Sequence, residues 1–380
     1  MPQDPSPEDT RAAGLEGIVV ADSSICFIDG RKGQLVYRGY DIDDLADSAS
    51  YEETAYLLWH GELPGSSQVD ELRSSLASSR VLPDAIEQML RTVRGAGAMA
   101  TLRTATSLLS TFDPDTNDPS PAANRRKASR LTSAMATVLA HETRLSHGKE
   151  PVAPRPSLGH AANFLYMLNR EEPGETAVKS FNTALVLHAE HGFNASTFAA
   201  RITTATLSDM HSAVVSAIGT LKGPLHGGAN RAVMKMLEEI GNVEAVEAAI
   251  KDRLARREKI MGFGHRVYKT MDPRARHLKK MAAALAAESG DARWYEMSAR
   301  MEEVVMNEKG LFPNVDFYSA SAYRAMGIPA EIYPAVFACS RIAGWTAHVM
   351  EQQADNRLIR PRARYIGPRN RTFRPLAERN

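Results

Sequence analysis

Cysteine is nearly absent from this chain of 380 residues: Cys26 and Cys339 are the only two, and they lie far apart in sequence. Two isolated thiols build neither a disulfide framework nor a cysteine-rich metal cluster, and they fit a reducing cytosol. Charge of one sign is not in excess either. The net charge is +1, so no global field draws the chain to nucleic acid or to a membrane surface. A long uninterrupted apolar run is also missing. The nearest approach, "IYPAVFACSRIAGWTAHVM", is broken by Pro334, Arg341 and His348, and it reads as a buried helix, not a membrane span. The start, "MPQDPSPEDTRAAG", is acidic and proline-rich with no apolar core. It is expected to be a frayed tail and not a signal peptide. No repeat of fixed period is evident.

What is present is an ordinary globular composition, 43% hydrophobic and 24% charged, in a chain long enough to expect two domains. Most of it carries helical periodicity. "IDDLADSASYEETAYLLWHGELP" reads as helix, "VDELRSSLASSRVLPDAIEQMLRTV" as two helices split by Pro83, and "SRLTSAMATVLAHETRLSHG" as one stopped by Gly148. "ETAVKSFNTALVLHAEH" and "ASTFAARITTATLSDMHSAVVSAIGTLKG" are helices broken at Gly192, and three more are expected between Ala232 and Gly290. "DPDTNDPSPAANRRKA" reads as loop. Strand signals are few: "GIVVADSSICFIDGRKGQLVYRG" suggests one small N-terminal β-hairpin around Asp29-Gly30. The expectation is a mainly α fold with a hinge near Gly223-Pro224.

Four short stretches could carry chemistry. "LKGPLHGGAN" sets His226 between a proline and two glycines, and "HAEHGFNAST" ends a helix with His188 and His191. "MGFGHRVYKTMDPRAR" places His265 after a Gly-x-Gly turn and Arg274 after a proline. "LFPNVDFYSASAY" holds Asp316 in an apolar and aromatic strip, where desolvation would raise its basicity. Each has a bland reading. A histidine at a helix end is often a cap or a satisfied core residue, and Asp316 could cap a helix starting at Ser319. His188 and His191 have metal-pair spacing but no further ligands, so no metal is expected. "GFGH" lacks the third glycine of a dinucleotide fingerprint. The basic tail "NRLIRPRARYIGPRNRTFRP" has few interleaved aromatics, which argues against nucleic acid.

Taken together, these motifs resemble the citrate synthase family along nearly the whole chain. The carriers are Gly262-Phe263-Gly264-His265 followed by Asp272-Pro273-Arg274, then "GPLHGGAN" and "PNVDFYS". The resemblance implies a largely helical two-domain homodimer, cytoplasmic, with a large domain of residues 1–220 and 327–380 and a small domain of residues 221–326. It implies condensation of acetyl-CoA with oxaloacetate and water to citrate and CoA, in the tricarboxylic acid cycle. No cofactor is expected to be bound permanently; the coenzyme A thioester is a cosubstrate. Asp316 would be the base that removes the thioester methyl proton. His226 would donate to the thioester carbonyl as a neutral imidazole held by turn backbone. His265 would polarise the oxaloacetate ketone. The two substrate carboxylates call for guanidinium forks, implied at Arg274 and Arg341 with His191 and His265, and at Arg360 reaching in from the partner subunit. Coenzyme A contacts are implied at Met261, Gly262, Phe263, Gly264, Lys269 and Lys309. The dianion would bridge residues of both domains and close them, creating the thioester site. The chain is shorter than the hexameric, NADH-inhibited members of the family, so no such inhibition is expected. Rival readings are a 2-methylcitrate synthase using propionyl-CoA, which shares these residues, a catalytically silent helical scaffold, and a helical metal-binding protein.

Overall fold

The computed structural model describes residues 13–379; most of the expected frayed start lies outside the described residues. Three short strands open the fold: β1 (Cys26–Asp29), β2 (Gln34–Tyr37) and β3 (Tyr40–Asp41). They form one antiparallel sheet in sequence order. The expected hairpin is therefore present with a third strand added, because Arg38-Gly39 turns the chain back onto β2 with both residues at positive φ.

The rest is helical. The first half contains α1 (Ile42–Ser48), α2 (Tyr51–His60), α3 (Ser66–Ser78), α4 (Asp84–Thr92), α5 (Ala98–Leu109), α6 (Pro121–Ser146), α7 (His160–Asn169) and α8 (Glu175–His188). Then come α9 (Ala195–Thr204), α10 (Met210–Leu221), α11 (Ala229–Ile240), α12 (Val243–Ala255), α13 (Pro273–Ser289), α14 (Arg293–Lys309), α15 (Val315–Ala325) and α16 (Tyr333–Ala354). Local capping chemistry sets the boundaries that periodicity missed. The stretch expected as one helix from Ile42 divides because Ser50 and Glu53 form a reciprocal capping box that starts α2. The stretch expected as one helix from Ala195 to Leu221 also divides. Leu207 takes φ 65°, and the Asp209 carboxylate then accepts from the Ser212 amide at 2.9 Å to start α10. The loop expected through Ala128 becomes helical at Pro121, since Ser120 caps α6 and proline fits its first turn.

Two long helices form the centre. α6 is buried almost throughout from Lys127 to Leu145, and α16 packs on α6, α8, α9 and α2. A fully buried Leu, Ile or Val adds roughly 1.5–3 kcal/mol, so this crossing holds α16 firmly in place. The run with Pro334, Arg341 and His348 is thus a core helix. No described helix is long and apolar enough to cross a membrane. Helices α11 to α15 pack on one another, and α13 also meets α8 and α1.

Candidate active site

The turn around His226 follows directly from α10. The carbonyl of Gly223 accepts from the amides of His226 at 3.0 Å and Gly227 at 3.3 Å. A Cβ on Gly227 would lie 2.3 Å from the Leu221 carbonyl oxygen. The glycine is required because the chain folds tightly on itself. The His226 ring is held from outside its own turn, contrary to expectation. Its Nε2 lies 2.9 Å from the Ser196 hydroxyl and 3.3 Å from the Ser196 amide. Ser196 is fixed in turn by Asn194, the cap of α9, and by the Trp345 indole N–H of α16, which donates to its hydroxyl at 3.1 Å. An amide can only donate, so Nε2 accepts and the ring proton resides on Nδ1. Burial, helped by Arg341, pushes the His226 pKa down to about 4, so the ring is neutral at physiological pH.

The second wall joins two loops. The amide of Gly264 donates to the Phe312 carbonyl at 3.0 Å, and that of Asn314 donates to the Gly262 carbonyl at 2.8 Å. The Asn314 side chain donates to the Gly264 carbonyl at 2.9 Å, and the rings of Phe263 and Phe317 are 4.5 Å apart. This ties the turn carrying His265 to the start of α15, which carries Asp316. His265 Nδ1 accepts from the amides of Val267 at 2.9 Å and Tyr268 at 3.2 Å. Its proton must therefore sit on Nε2. Burial, then Arg274, lowers its pKa to about 4. Asn314, not Asp316, is the helix cap: it accepts from the Asp316 amide at 3.0 Å. Asp316 sits in the first turn of a helix that starts earlier than Ser319. Its half-buried carboxylate makes no hydrogen bond to the described residues. Burial raises its pKa to about 6, against the opposing pull of Arg274 and Arg341.

The cationic part is deeper. Asp272 caps α13 and grips the Arg274 guanidinium through Nε at 3.0 Å and Nη2 at 2.8 Å. Burial alone would weaken the Arg274 charge, but the Asp272 pair outweighs it. Nη1 is the edge left for another partner. Arg341 on α16 is buried, donates from Nε to the His188 carbonyl at 2.6 Å, and lies over the Phe337 ring at 4.5 Å. His191 Nε2 is 3.2 Å from the Tyr268 hydroxyl, and its ring meets that of His265 edge-on at 5.6 Å. Burial, then the fields of Arg274 and Arg341, holds His191 well below the usual imidazole range.

Seven side chains thus share one site: His191, His226, His265, Tyr268, Arg274, Asp316 and Arg341. Met261 and Phe263 are half-buried beside it. Lys269 is exposed, with its amide bonded to the Gly30 carbonyl at 2.8 Å. Lys309, at the end of α14, and Arg360, beyond α16, are exposed and make no hydrogen bond or ion pair with this cluster among the described residues. His188 is buried and its Nδ1 donates to the Ala184 carbonyl at 2.7 Å, apart from the partners of His191. Sequence reading missed Ser196, Trp345, Tyr268 and the clasp of Asp272 on Arg274. Asn194-Ala195-Ser196 and Asp272-Pro273 carry helix-start signals that mark two of them; Tyr268 and Trp345 carry none.

Comparison with known proteins identifies the family. A family model described as "Citrate synthase, C-terminal domain" matches residues 14–362. The chain is 53% identical to the citrate synthase of Haloferax volcanii, covering 96% of this chain and 98% of that one. It is 51% identical to citrate synthase 2 of Bacillus subtilis, covering 97% and 100%. It is 40% identical to the 2-methylcitrate synthase of Shewanella oneidensis, covering 97% and 98%. The crystal structure of citrate synthase from Pyrobaculum aerophilum superposes with a TM-score of 0.91 at 39% identity, covering 97% and 95%. That of the Thermoplasma acidophilum enzyme in ternary complex with carboxymethyl coenzyme A and oxaloacetate superposes at 0.89 with 34% identity, covering 97% and 99%.

Proposed function

The chain belongs to the citrate synthase family, and from that premise we propose that Asp316, His226 and His265 carry the condensation while Arg274, Arg341, His191 and Arg360 hold oxaloacetate. The activity is that of a citrate synthase: acetyl-CoA, oxaloacetate and water give citrate and coenzyme A. The observation that carries the residue roles is one pairing. Two neutral imidazoles, each with its proton directed by an amide donor to the other nitrogen, share a site with a carboxylate that has no hydrogen bond of its own.

The thioester methyl proton is weakly acidic, so the enolate oxygen needs a donor as the proton leaves. Asp316 takes the proton, and His226 Nδ1–H bonds the thioester oxygen. The methyl carbon attacks the oxaloacetate ketone, and His265 gives its Nε2 proton to the new alkoxide. Water then hydrolyses the citryl thioester, releasing citrate and coenzyme A. Arg274 Nη1 and the free end of the Arg341 fork meet the substrate carboxylates. Backbone at Met261 to Gly264, with Lys269 and Lys309, meets coenzyme A.

The site draws on both proposed domains, 1–220 with 327–380 and 221–326. The two meet where the Lys269 amide bonds Gly30 and where His277 Nε2 lies 2.7 Å from the Asp43 carboxylate. A dianion bridging Arg341 and Arg274 favours the closed arrangement and excludes water around the enolate. A cytoplasmic homodimer accounts for two further features. Ile202 and Leu207, on the α9–α10 hairpin, are exposed apolar side chains, and Arg360 is free to serve a neighbouring site. Steady-state comparison of acetyl-CoA with propionyl-CoA tests the substrate. Higher kcat/KM with propionyl-CoA would reassign the chain to the 2-methylcitrate branch, whose one-methylene discrimination is only about 1–3 kcal/mol.

A further inference from the structure

His191 is preceded by a buried charge that the condensation does not use. Glu190 has no exposed surface. Its Oε1 lies 3.0 Å from His348 Nε2, and its Oε2 has no hydrogen-bond partner among the described residues. The fit around it is tight. The Tyr37 hydroxyl donates to the Glu190 carbonyl at 2.7 Å. Gly344 of α16 donates its amide to the Ala189 carbonyl at 3.1 Å. A Cβ on Gly344 would lie 2.2 Å from Glu190 Oε2 and 2.4 Å from the Ala189 oxygen. The helix is bare where the chain carrying His191 crosses it.

The protonation pattern is fixed by a guanidinium. Arg201 Nη1 lies 3.0 Å from His348 Nδ1 and can only donate, so His348 Nδ1 accepts and its Nε2–H donates to Glu190. His348 is therefore a neutral link. The Arg201 charge is matched elsewhere, by Glu351 at 2.8 Å. Among the described residues, Glu190 has no lysine or arginine within ion-pair distance. The buried cation at the same crossing is Arg341, which bonds the His188 carbonyl two residues before Glu190 and sits three residues before Gly344. Glu190 is the strongest influence offsetting the loss of charge that burial imposes on Arg341. Arg341 is located by the His188 carbonyl and the Phe337 ring, without any bond to Glu190.

We propose that Glu190 is a positioning residue acting through Arg341: it balances that guanidinium when no dianion is bound, and so weakens the hold on oxaloacetate and citrate alike. The proposal rests on the reading of Arg341 as a carboxylate ligand. A purely structural prop would behave in the opposite way, since removing it would loosen the site and lower affinity.

The test is calorimetric binding of oxaloacetate and of citrate to the full protein, wild type against Glu190→Gln and His348→Gln. The glutamine at 190 keeps shape and accepts from His348 while removing the charge. Both ligands should bind on the order of tenfold more tightly to Glu190→Gln, the size expected for one charge acting across roughly 12 Å at an effective dielectric of about 20. KM for oxaloacetate should fall, and kcat should fall if product release limits turnover. Unchanged or weaker binding overturns the proposal. His348→Gln can accept from Arg201 and donate to Glu190, so its affinity should stay within about twofold of wild type; a large loss there overturns the proposal even if Glu190→Gln does not fold. Failure of the wild-type protein to bind oxaloacetate would instead remove the underlying reading of the site.

Discussion

Replacing Asp316 by asparagine separates two consequences of burying the carboxylate proposed as the base. Burial raises its pKa from 3.8 to about 6. At pH 8 the group is almost wholly ionised, which supplies the base, but the folded state bears a cost for that charge. A shift of about two units corresponds to about 3 kcal/mol at 1.36 kcal/mol per unit; partial exposure to solvent reduces this to about 1–3 kcal/mol. The sign follows from linkage. The folded pKa lies above the unfolded one, so the cost is absent below pH 3.8, grows between 3.8 and about 6, and is complete above 6. The asparagine variant removes both base and cost. It should lose on order of 10²–10⁴-fold in kcat, the range for a general base, with oxaloacetate affinity retained. It should also be more stable than wild type at pH 8, with the advantage vanishing near pH 4. Release of the coenzyme A thiol measures the first effect and denaturant unfolding at the two pH values the second. Wild-type turnover would refute the role of Asp316. Equal stability at pH 8 would refute the burial argument.

Wild-type kcat/KM for oxaloacetate should fall as pH drops through about 6, with a slope of one, as Asp316 of the free enzyme takes up its proton; a flat profile down to pH 5 would contradict this. His226→Ala should lower kcat by about 10²–10³-fold with little change in oxaloacetate affinity, measured by turnover and calorimetry. Ser196→Ala removes the hydroxyl but keeps the amide that sets the His226 tautomer, so its kcat should fall only about fivefold; a loss as deep as that of His226→Ala would assign the tautomer to the hydroxyl. Arg341→Ala should weaken oxaloacetate binding by about 10²-fold or more, and equal affinity would remove Arg341 from the substrate. Solution scattering should show compaction when oxaloacetate is added, with tighter thioester binding afterwards; the absence of both would refute ordered closure.

The helical class and the small N-terminal sheet were legible because apolar spacing and turn residues act locally. Pro83 immediately precedes α4 and Gly148 follows the end of α6 for the same reason. The breaks at Ser50 and Leu207 escaped because periodicity continues across them, and only a cap three residues away reveals the division. The candidate site was legible as motifs, since proline and glycine mark the turns that hold His226 and His265. The partners that set proton positions were not. Ser196 lies 30 residues from His226 in sequence, and Trp345 lies 149 residues from Ser196; nothing local signals such contacts. The expectation that turn backbone would hold the His226 ring placed the anchor in the wrong segment. For His265 the anchor is local, through Val267 and Tyr268.

The site keeps its histidines neutral and leaves cationic charge to its arginines. Burial lowers the imidazole pKa values first, and the guanidinium fields lower them further. The same Arg274 and Arg341 pull down the pKa of Asp316, limiting the rise that burial produces. On the proposed roles, both guanidinium fields are offset once the two carboxylates of oxaloacetate arrive. Asp316 then feels burial with less opposition and becomes a stronger base, while His265 and His226 lose part of the pressure that keeps them weakly basic. Before oxaloacetate binds, the base is held at its weakest, which protects any thioester that enters early from wasteful proton removal. On these roles, oxaloacetate-first binding would have an electrostatic reason as well as a steric one: the first substrate would neutralise the charges that hold the base in check.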